Sequence, residues 1–182
     1  MKLLLHTCCG PCMTAFDEHF KSRGILYSAF FYNPNIHPYK EYIRRKDTLK
    51  EYAGVTGTEL FIEESFMQHH WEVNFDGMDK DRRCEQCYRI RIAATVRKAE
   101  ELGFTHFTTT LLISPYQNHE AIKRICNEES EGSVVSFFYD DFRKMFRKGQ
   151  DIARENKLYR QKYCGCIYSL EDSDFRSKVK WD

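Results

Sequence analysis

Seven of the eight cysteines fall into three short groups: Cys8-Cys9-Gly10-Pro11-Cys12, Cys84-x-x-Cys87 and Cys164-x-Cys166. Thiolates are what iron–sulfur clusters and zinc ions bind. Cys84 and Cys87 are three residues apart and share one face of a helix. Both stand in its first turn, where the helix dipole favours a thiolate. Pro11 suits the first turn of another helix, so Cys12 receives the same help. One structural zinc would use the four sulfurs of the two downstream pairs and leave the first group unexplained. A redox pair at Cys9-x-x-Cys12 would leave the downstream pairs idle. Seven sulfurs exceed the needs of one zinc or one tetranuclear cluster. The set therefore points to a cluster together with a second metal ion or a redox-active thiol pair, and iron–sulfur is favoured over zinc.

The elements that must position these groups read as alternating strands and helices. Lys2 to Thr7 is a short buried strand. Cys12, Ala15, Phe16, His19 and Phe20 mark one helical face that follows it. Strands are expected over Ile25 to Tyr32, Glu59 to Glu63, Phe104 to Leu112 and Ser133 to Tyr139. Helices are expected over Tyr39 to Tyr52, Arg82 to Leu102, and from a Ser114 cap to about Asn127. From Asp140 onward mostly helix is expected, then a cysteine-bearing tail. Alternation of this kind gives a parallel five-stranded Rossmann-like sheet with helices on both faces. Ligands in such folds bind beyond the carboxyl ends of the strands. Cys8, Cys9 and Cys12 follow the first strand, and Cys84 and Cys87 open a helix that starts at the same edge. Cys126 closes a helix that began there, about 18 Å away at 1.5 Å per residue, and is expected to be no ligand.

The 182 residues suggest one α/β domain, with an irregular acidic excursion near 65–81 and a C-terminal basic helix plus cysteine tail at 141–182. Formal net charge is +1, so total charge names no partner. No apolar run approaches the roughly 20 residues of a membrane span, and the cysteine cluster follows Met1–Leu5 directly, with no signal peptide. A cytoplasmic protein with no membrane partner is expected, and in a reducing compartment clustered cysteines mean metal or redox chemistry. Between Arg143 and Lys162, eight basic residues face two acidic ones. Arg143, Lys144, Arg147 and Lys148 are candidate contacts for nucleic-acid phosphates, with Phe142, Phe146, Tyr159 and Tyr163 interleaved among the cations. Lys40, Arg44 and Arg45 form a second possible phosphate patch, or a solvated helix face.

Five pieces of sequence, taken in order, resemble the cobalamin-independent epoxyqueuosine reductase family: Cys8-Cys9-Gly10-Pro11-Cys12, Tyr32-Asn33-Pro34-Asn35-Ile36, Arg83-Cys84-x-x-Cys87, Thr108-Thr109-Thr110-Leu111-Leu112-Ile113-Ser114-Pro115, and Leu158-Tyr159-Arg160-Gln161-x-Tyr163-Cys164-Gly165-Cys166. The likeness runs from about residue 3 to residue 170. It implies a fold related to adenine-nucleotide alpha hydrolases, a [4Fe–4S] cluster and a neighbouring iron. It also implies reduction of epoxyqueuosine, at the wobble position of tRNA, to queuosine.

That chemistry takes two electrons and two protons and needs no cobalamin. A low-potential donor such as a ferredoxin or flavodoxin would supply the electrons. Asp81 and Asp141 are candidate general acids or extra metal ligands. Asn33, Asn35, Tyr116 and Asn118 sit after strands at the carboxyl edge and are candidate substrate contacts, with Arg160 beside the last cysteine pair. The turn after the first strand lacks a glycine-rich phosphate loop, so ATP use is not expected. Two other functions remain open at this point: a zinc-stabilised tRNA-binding module, and a cluster-dependent tRNA sulfur transferase.

Overall fold

The computed structural model describes residues 1–178. Leu3–His6 (β1) is wholly buried, as expected of a central strand covered on both faces. It pairs in parallel with Tyr27–Phe31 (β2), beyond which lies Leu60–Ile62 (β3). On its other side it pairs with His106–Thr109 (β4), and Ser136–Phe137 (β5) follows. The order is β3-β2-β1-β4-β5, all parallel. Chain direction across the sheet reverses between β1 and β4, so the crevice beyond their carboxyl ends is the switch point at which such sheets bind ligands.

The helices are Gly10–Ser22 (α1), Tyr39–Thr56 (α2), Gln68–Phe75 (α3), Lys80–Glu101 (α4), His119–Ser130 (α5), Phe146–Glu155 (α6) and Ile167–Glu171 (α7). α1 packs against α2 and α6, and α4 packs against α5. The main core joins β1, β2 and the inner faces of α1, α4 and α5, with Phe16, Phe20, Phe30, Phe107 and Ile122 inside it. Pro11 stands in the first turn of α1, and Cys12, Ala15, Phe16 and Phe20 are buried along it, as the spacing predicts.

Several expectations are corrected. The fourth strand ends at Thr109, where the threonine hydroxyl accepts from Leu111 N (3.2 Å) and turns Thr110–Ile113 into a 3-10 helix. α5 is capped by Asn118, whose side chain accepts from Ala121 N (3.0 Å). Ser114 instead closes a turn on Tyr116 N. Part of the acidic excursion is helical. Trp71 and Phe75, one turn apart, stack with ring centroids 4.8 Å apart and bury with Cys87, which supplies the packing a short helix needs.

After α6 the chain does not stay helical. Asn156 to Cys166 is an irregular strap that crosses the carboxyl edge before α7. Residues 179–182 of the expected C-terminal tail lie outside the described residues. No described helix is long and apolar enough to cross a membrane.

Candidate metal centre

The seven sulfurs divide into three and four. Cys8, Cys9 and Cys12 place their sulfurs within 4.8 Å of one another, and Cys8 and Cys9 are 3.7 Å apart. A tetrahedral ion with metal–sulfur bonds of about 2.3 Å has sulfur–sulfur edges of about 3.8 Å, so this triad fits one ion. Among the described residues no other three His, Cys, Asp or Glu ligand atoms are so compact. Cys84, Cys87, Cys164 and Cys166 instead line one cavity of about 230 Å³. Four thiols spread around a cavity suit a polynuclear cluster held by four cysteines.

The triad sits in the turn from β1 into α1. The sulfurs of Cys12 and Cys9 donate toward Cys8 and hold its thiol well below the ordinary cysteine value. Cys12 is pushed up by that same bond, and Cys9 is pushed up by burial. Thr110, after β4, donates to Cys8 Sγ (3.5 Å). Gln161 on the strap bridges the other two: its carbonyl accepts from Cys9 Sγ (3.2 Å) and its amide donates to Cys12 Sγ (3.4 Å). His6 lies beneath, kept neutral by burial and by Arg91, at about 3. Its Nε2 donates to Tyr32 O and its Nδ1 accepts from Thr109. It is a satisfied core histidine.

The quartet joins two elements. Cys84 and Cys87 come from the first turns of α4, Cys164 and Cys166 from the strap. Burial pushes Cys84 up to about 11 and Cys87 up to about 12, with neighbouring sulfur charge adding to both. A metal must displace these protons to bind, so loading is pH-dependent.

The strap is fixed by a buried arginine. Arg45, 1% exposed, pairs with Glu41 (2.7 Å) and donates to Tyr163 O (3.0 Å) and Cys164 O (2.8 Å). Tyr159 donates to the same Glu41, and Tyr163 donates to His37 O. His37 N donates to Gly165 O, and His37 Nδ1 accepts from Ile167 N. Arg45 is thus a clamp. As a fully enclosed side chain it cannot grip phosphates, which corrects that part of the second basic patch.

A second cavity, about 370 Å³, opens over the triad and is lined by Cys8, Cys12, Thr110, Ser114, Phe146, Gln150, Gln161 and Lys162. Arg91, Tyr116, Gln117 and Cys164 line both cavities and form the wall between them. Gln117 donates to Cys164 Sγ (3.2 Å) and accepts from Tyr88 (2.6 Å).

The other sequence candidates fare unequally. Tyr116 is 85% exposed at the mouth, edge-on to Phe146. Asn35 is buried beside the quartet, and among the described residues its Oδ1 has no hydrogen-bond partner. Asn33 is fully buried, donating to Thr7 O and accepting from Arg91. Asn118 caps α5. Both side chains are occupied within the fold rather than turned to a ligand.

Asp141 caps the turn before α6 and is held far below the carboxylate range by Arg143, which binds it twice. It lines neither cavity and is no proton donor at neutral pH. Asp81 is exposed in the first turn of α4, outside both cavities, whereas its neighbours Lys80 and Arg83 line the quartet's. Arg160 is half-buried on the strap, and Cys126 is buried in the core within α5.

Of the basic run, Arg143 and Lys148 hold Asp141 and Glu18 respectively, while Lys144 and Arg147 are exposed. Phe142 packs into the core against Phe16. Arg91, Gln117 and Gln161 were not singled out from the sequence. Arg91 had a signal: with Cys84, Cys87 and Tyr88 it continues the spacing i, i+3, i+4, i+7.

A parallel α/β sheet with thiols gathered at its switch point defines a doubly wound α/β fold whose cysteines could hold a metal ion. The U34-tRNA thiolase NcsA of Methanococcus maripaludis, solved with its [4Fe–4S] cluster, shares this fold: TM-score 0.56 at 17% identity, covering 98% of this chain and 62% of the thiolase. The family profile described as epoxyqueuosine reductase QueH matches residues 3–172. The epoxyqueuosine reductase QueH of Dehalococcoides mccartyi is 35% identical over 170 residues, 92% of each chain. That of Acinetobacter baylyi is 36% identical over 181 residues, 95% of this chain and 82% of the relative. The chain belongs to the epoxyqueuosine reductase QueH family, whose members are oxidoreductases.

Proposed function

We propose that the protein reduces epoxyqueuosine in tRNA to queuosine, with a [4Fe–4S] cluster on Cys84, Cys87, Cys164 and Cys166 and a second iron on Cys8, Cys9 and Cys12. The observation that carries this reading is the division of the sulfurs into a compact triad and a spread quartet separated by one shared wall. Loaded there, the cluster would supply electrons singly and the second ion a Lewis acid for the epoxide oxygen. The oxygen leaves as water, and two electrons and two protons balance the change to an alkene.

The protein's own residues would do the rest. The cavity over the triad, about 370 Å³, lies within the size range of ligand pockets. Tyr116 and Phe146 at its mouth offer aromatic faces for an unstacked base. Gln161 orients the triad, and Gln117 holds Cys164 in the wall. Lys162 lines the cavity and, unlike Asp81 and Asp141, stands where it could meet a substrate. Lys144 and Arg147 remain candidate phosphate contacts, together with the half-committed Arg143 and Lys148. A cytoplasmic tRNA and a low-potential donor of the ferredoxin or flavodoxin kind complete the reaction. Neither cobalamin nor ATP has a part in it.

Anaerobically purified protein should be brown, contain iron and sulfide, and convert epoxyqueuosine-tRNA under a low-potential reductant. Colourless protein with stoichiometric zinc, tRNA binding and no turnover would refute the proposal in favour of a zinc-stabilised binding module. Product formation only with ATP and a sulfur source would point to a sulfur transferase instead.

A further inference from the structure

Two arginines are buried beside the sulfurs, and their surroundings differ. Arg45 holds a carboxylate, Glu41, at 2.7 Å. Arg91, 2% exposed, pairs with no carboxylate among the described residues. Its Nη2 donates to Asn33 Oδ1 (2.9 Å), its Nη1 reaches Cys87 Sγ (3.8 Å), and its buried Nε has no hydrogen-bond partner. The sulfurs beside it are Cys87 at 3.8 Å, Cys84, Cys164 and Cys166 around one cavity that it lines, and Cys8 and Cys12 around the other. It lines both cavities.

A buried cation without a counter-charge is strongly unfavourable. Arginine cannot shed its proton to escape that cost. The sulfurs of both cysteine groups are placed to supply that counter-charge once a metal has displaced their protons. Asn33 fixes the guanidinium, and Asn33 is itself bound to Thr7 O (3.0 Å) in the turn that carries the triad. α4 is thereby tied to that turn through one asparagine.

We propose that Arg91 is a positioning residue that balances the charge of both metal sites at once and raises the reduction potential of the quartet's cluster. The inference rests on the proposed cluster at Cys84, Cys87, Cys164 and Cys166. Reducing a cluster adds one negative charge, and a fixed positive charge in a poorly screened interior favours the reduced state. The same charge faces the second cavity, where it would offset the thiolates that hold the triad's ion.

The test is a potentiometric titration followed by electron paramagnetic resonance on anaerobic holoprotein, with iron counted per chain. Wild type is compared with Arg91→Gln and Arg91→Lys. In Arg91→Gln the cluster midpoint should fall, and the quartet should hold its iron about tenfold or more weakly against chelator, the usual loss when an outer contact to a metal ligand, here Cys87, is removed. Arg91→Lys keeps the charge, so its midpoint should move less than half as far.

An Arg91→Gln midpoint at the wild-type value with full cluster content overturns the proposal. So does a lysine variant that shifts as far as the glutamine one. Should Arg91→Gln assemble no cluster, the lysine variant decides. A loaded cluster near the wild-type midpoint supports the charge. A lysine variant that also stays empty shows that residue 91 serves packing alone. A wild type with no cluster refutes the parent reading, and this inference with it. A loaded wild type whose midpoint ignores residue 91 refutes this inference only.

Discussion

Gly165 separates the two strap cysteines at a backbone φ of +147°, a conformation that side chains rarely adopt. A methyl group there would stand 3.2 Å from Arg45 Nη1 and 3.4 Å from Asn35 Nδ2. Arg45 cannot swing aside, because it is enclosed and held by Glu41, Tyr163 O and Cys164 O. Gly165→Ala should therefore cost about 1–3 kcal/mol in backbone strain. Weakening the charged bond to Cys164 O puts a further 1.5–3 kcal/mol or so at risk. Because Arg45 keeps its bond to Tyr163 O, we take about 3 kcal/mol, near the low end of the sum. At about 1.4 kcal/mol per decade, the docked strap and the metal it helps hold are weakened roughly 100-fold.

The assay is anaerobic reconstitution followed by competition with an iron chelator, read by visible absorbance and by iron and sulfide per chain. Gly57→Ala is the control. Gly57 ends α2 at φ +70° with nothing within 4 Å of the added carbon. It should lose about 1–2 kcal/mol of global stability for its left-handed backbone and keep its metal as wild type does. A Gly165→Ala protein that retains the cluster against chelator as long as wild type refutes the strap argument.

Gln161→Leu removes both amide contacts to the triad. It should weaken metal there about 10- to 100-fold while the quartet keeps its iron and sulfide, as separate metal counts would show. Tyr116→Ala should raise KM for tRNA substrate by about 5- to 150-fold, the equivalent of about 1–3 kcal/mol of stacking. Its kcat and melting temperature should stay unchanged, because the ring is exposed. The His37 imidazole is pushed down to about 4 by burial, against about 6.5 unfolded. Between these values the unfolded chain binds more protons, so stability is lost as pH falls from about 6.5 toward about 4. The loss is up to about 3 kcal/mol. It should be accompanied by release of the strap, since protonated Nδ1 cannot accept from Ile167 N. Denaturant unfolding across that range should show a flatter profile for His37→Gln, and identical profiles would refute the assignment.

The order of strands and helices and the convergence of three cysteine groups were legible because they follow from chain direction. Whatever follows a parallel strand, or opens a helix returning to the sheet, lies at the carboxyl edge. The division into triad and quartet was not legible. It depends on where the strap folds back, and that is set by Arg45 and Glu41, which on a charged helix read as a solvated pair. Arg91 was hidden in the same way, since an arginine on a long polar helix normally faces water. The run Thr108-Thr109-Thr110 read as strand throughout because β propensity cannot register a hydroxyl that caps the next turn. Asn118 and Asp141 were recognised as polar groups at the right edge. Their side chains are bound to backbone, which spacing alone does not reveal.

The strap has a consequence for how the protein comes to exist. Half of the quartet lies on α4 and half on a segment synthesised much later, so a cluster held by all four cysteines could be inserted only once that segment has emerged and folded over. A cluster so held would work as a cross-link, closing the long loop between Cys87 and Cys164 much as a disulfide would. Before insertion, the wall shared by the two cavities is a tether held by Arg45 and His37. Binding of a metal by both halves would therefore also be the last step in shaping the cavity over the triad.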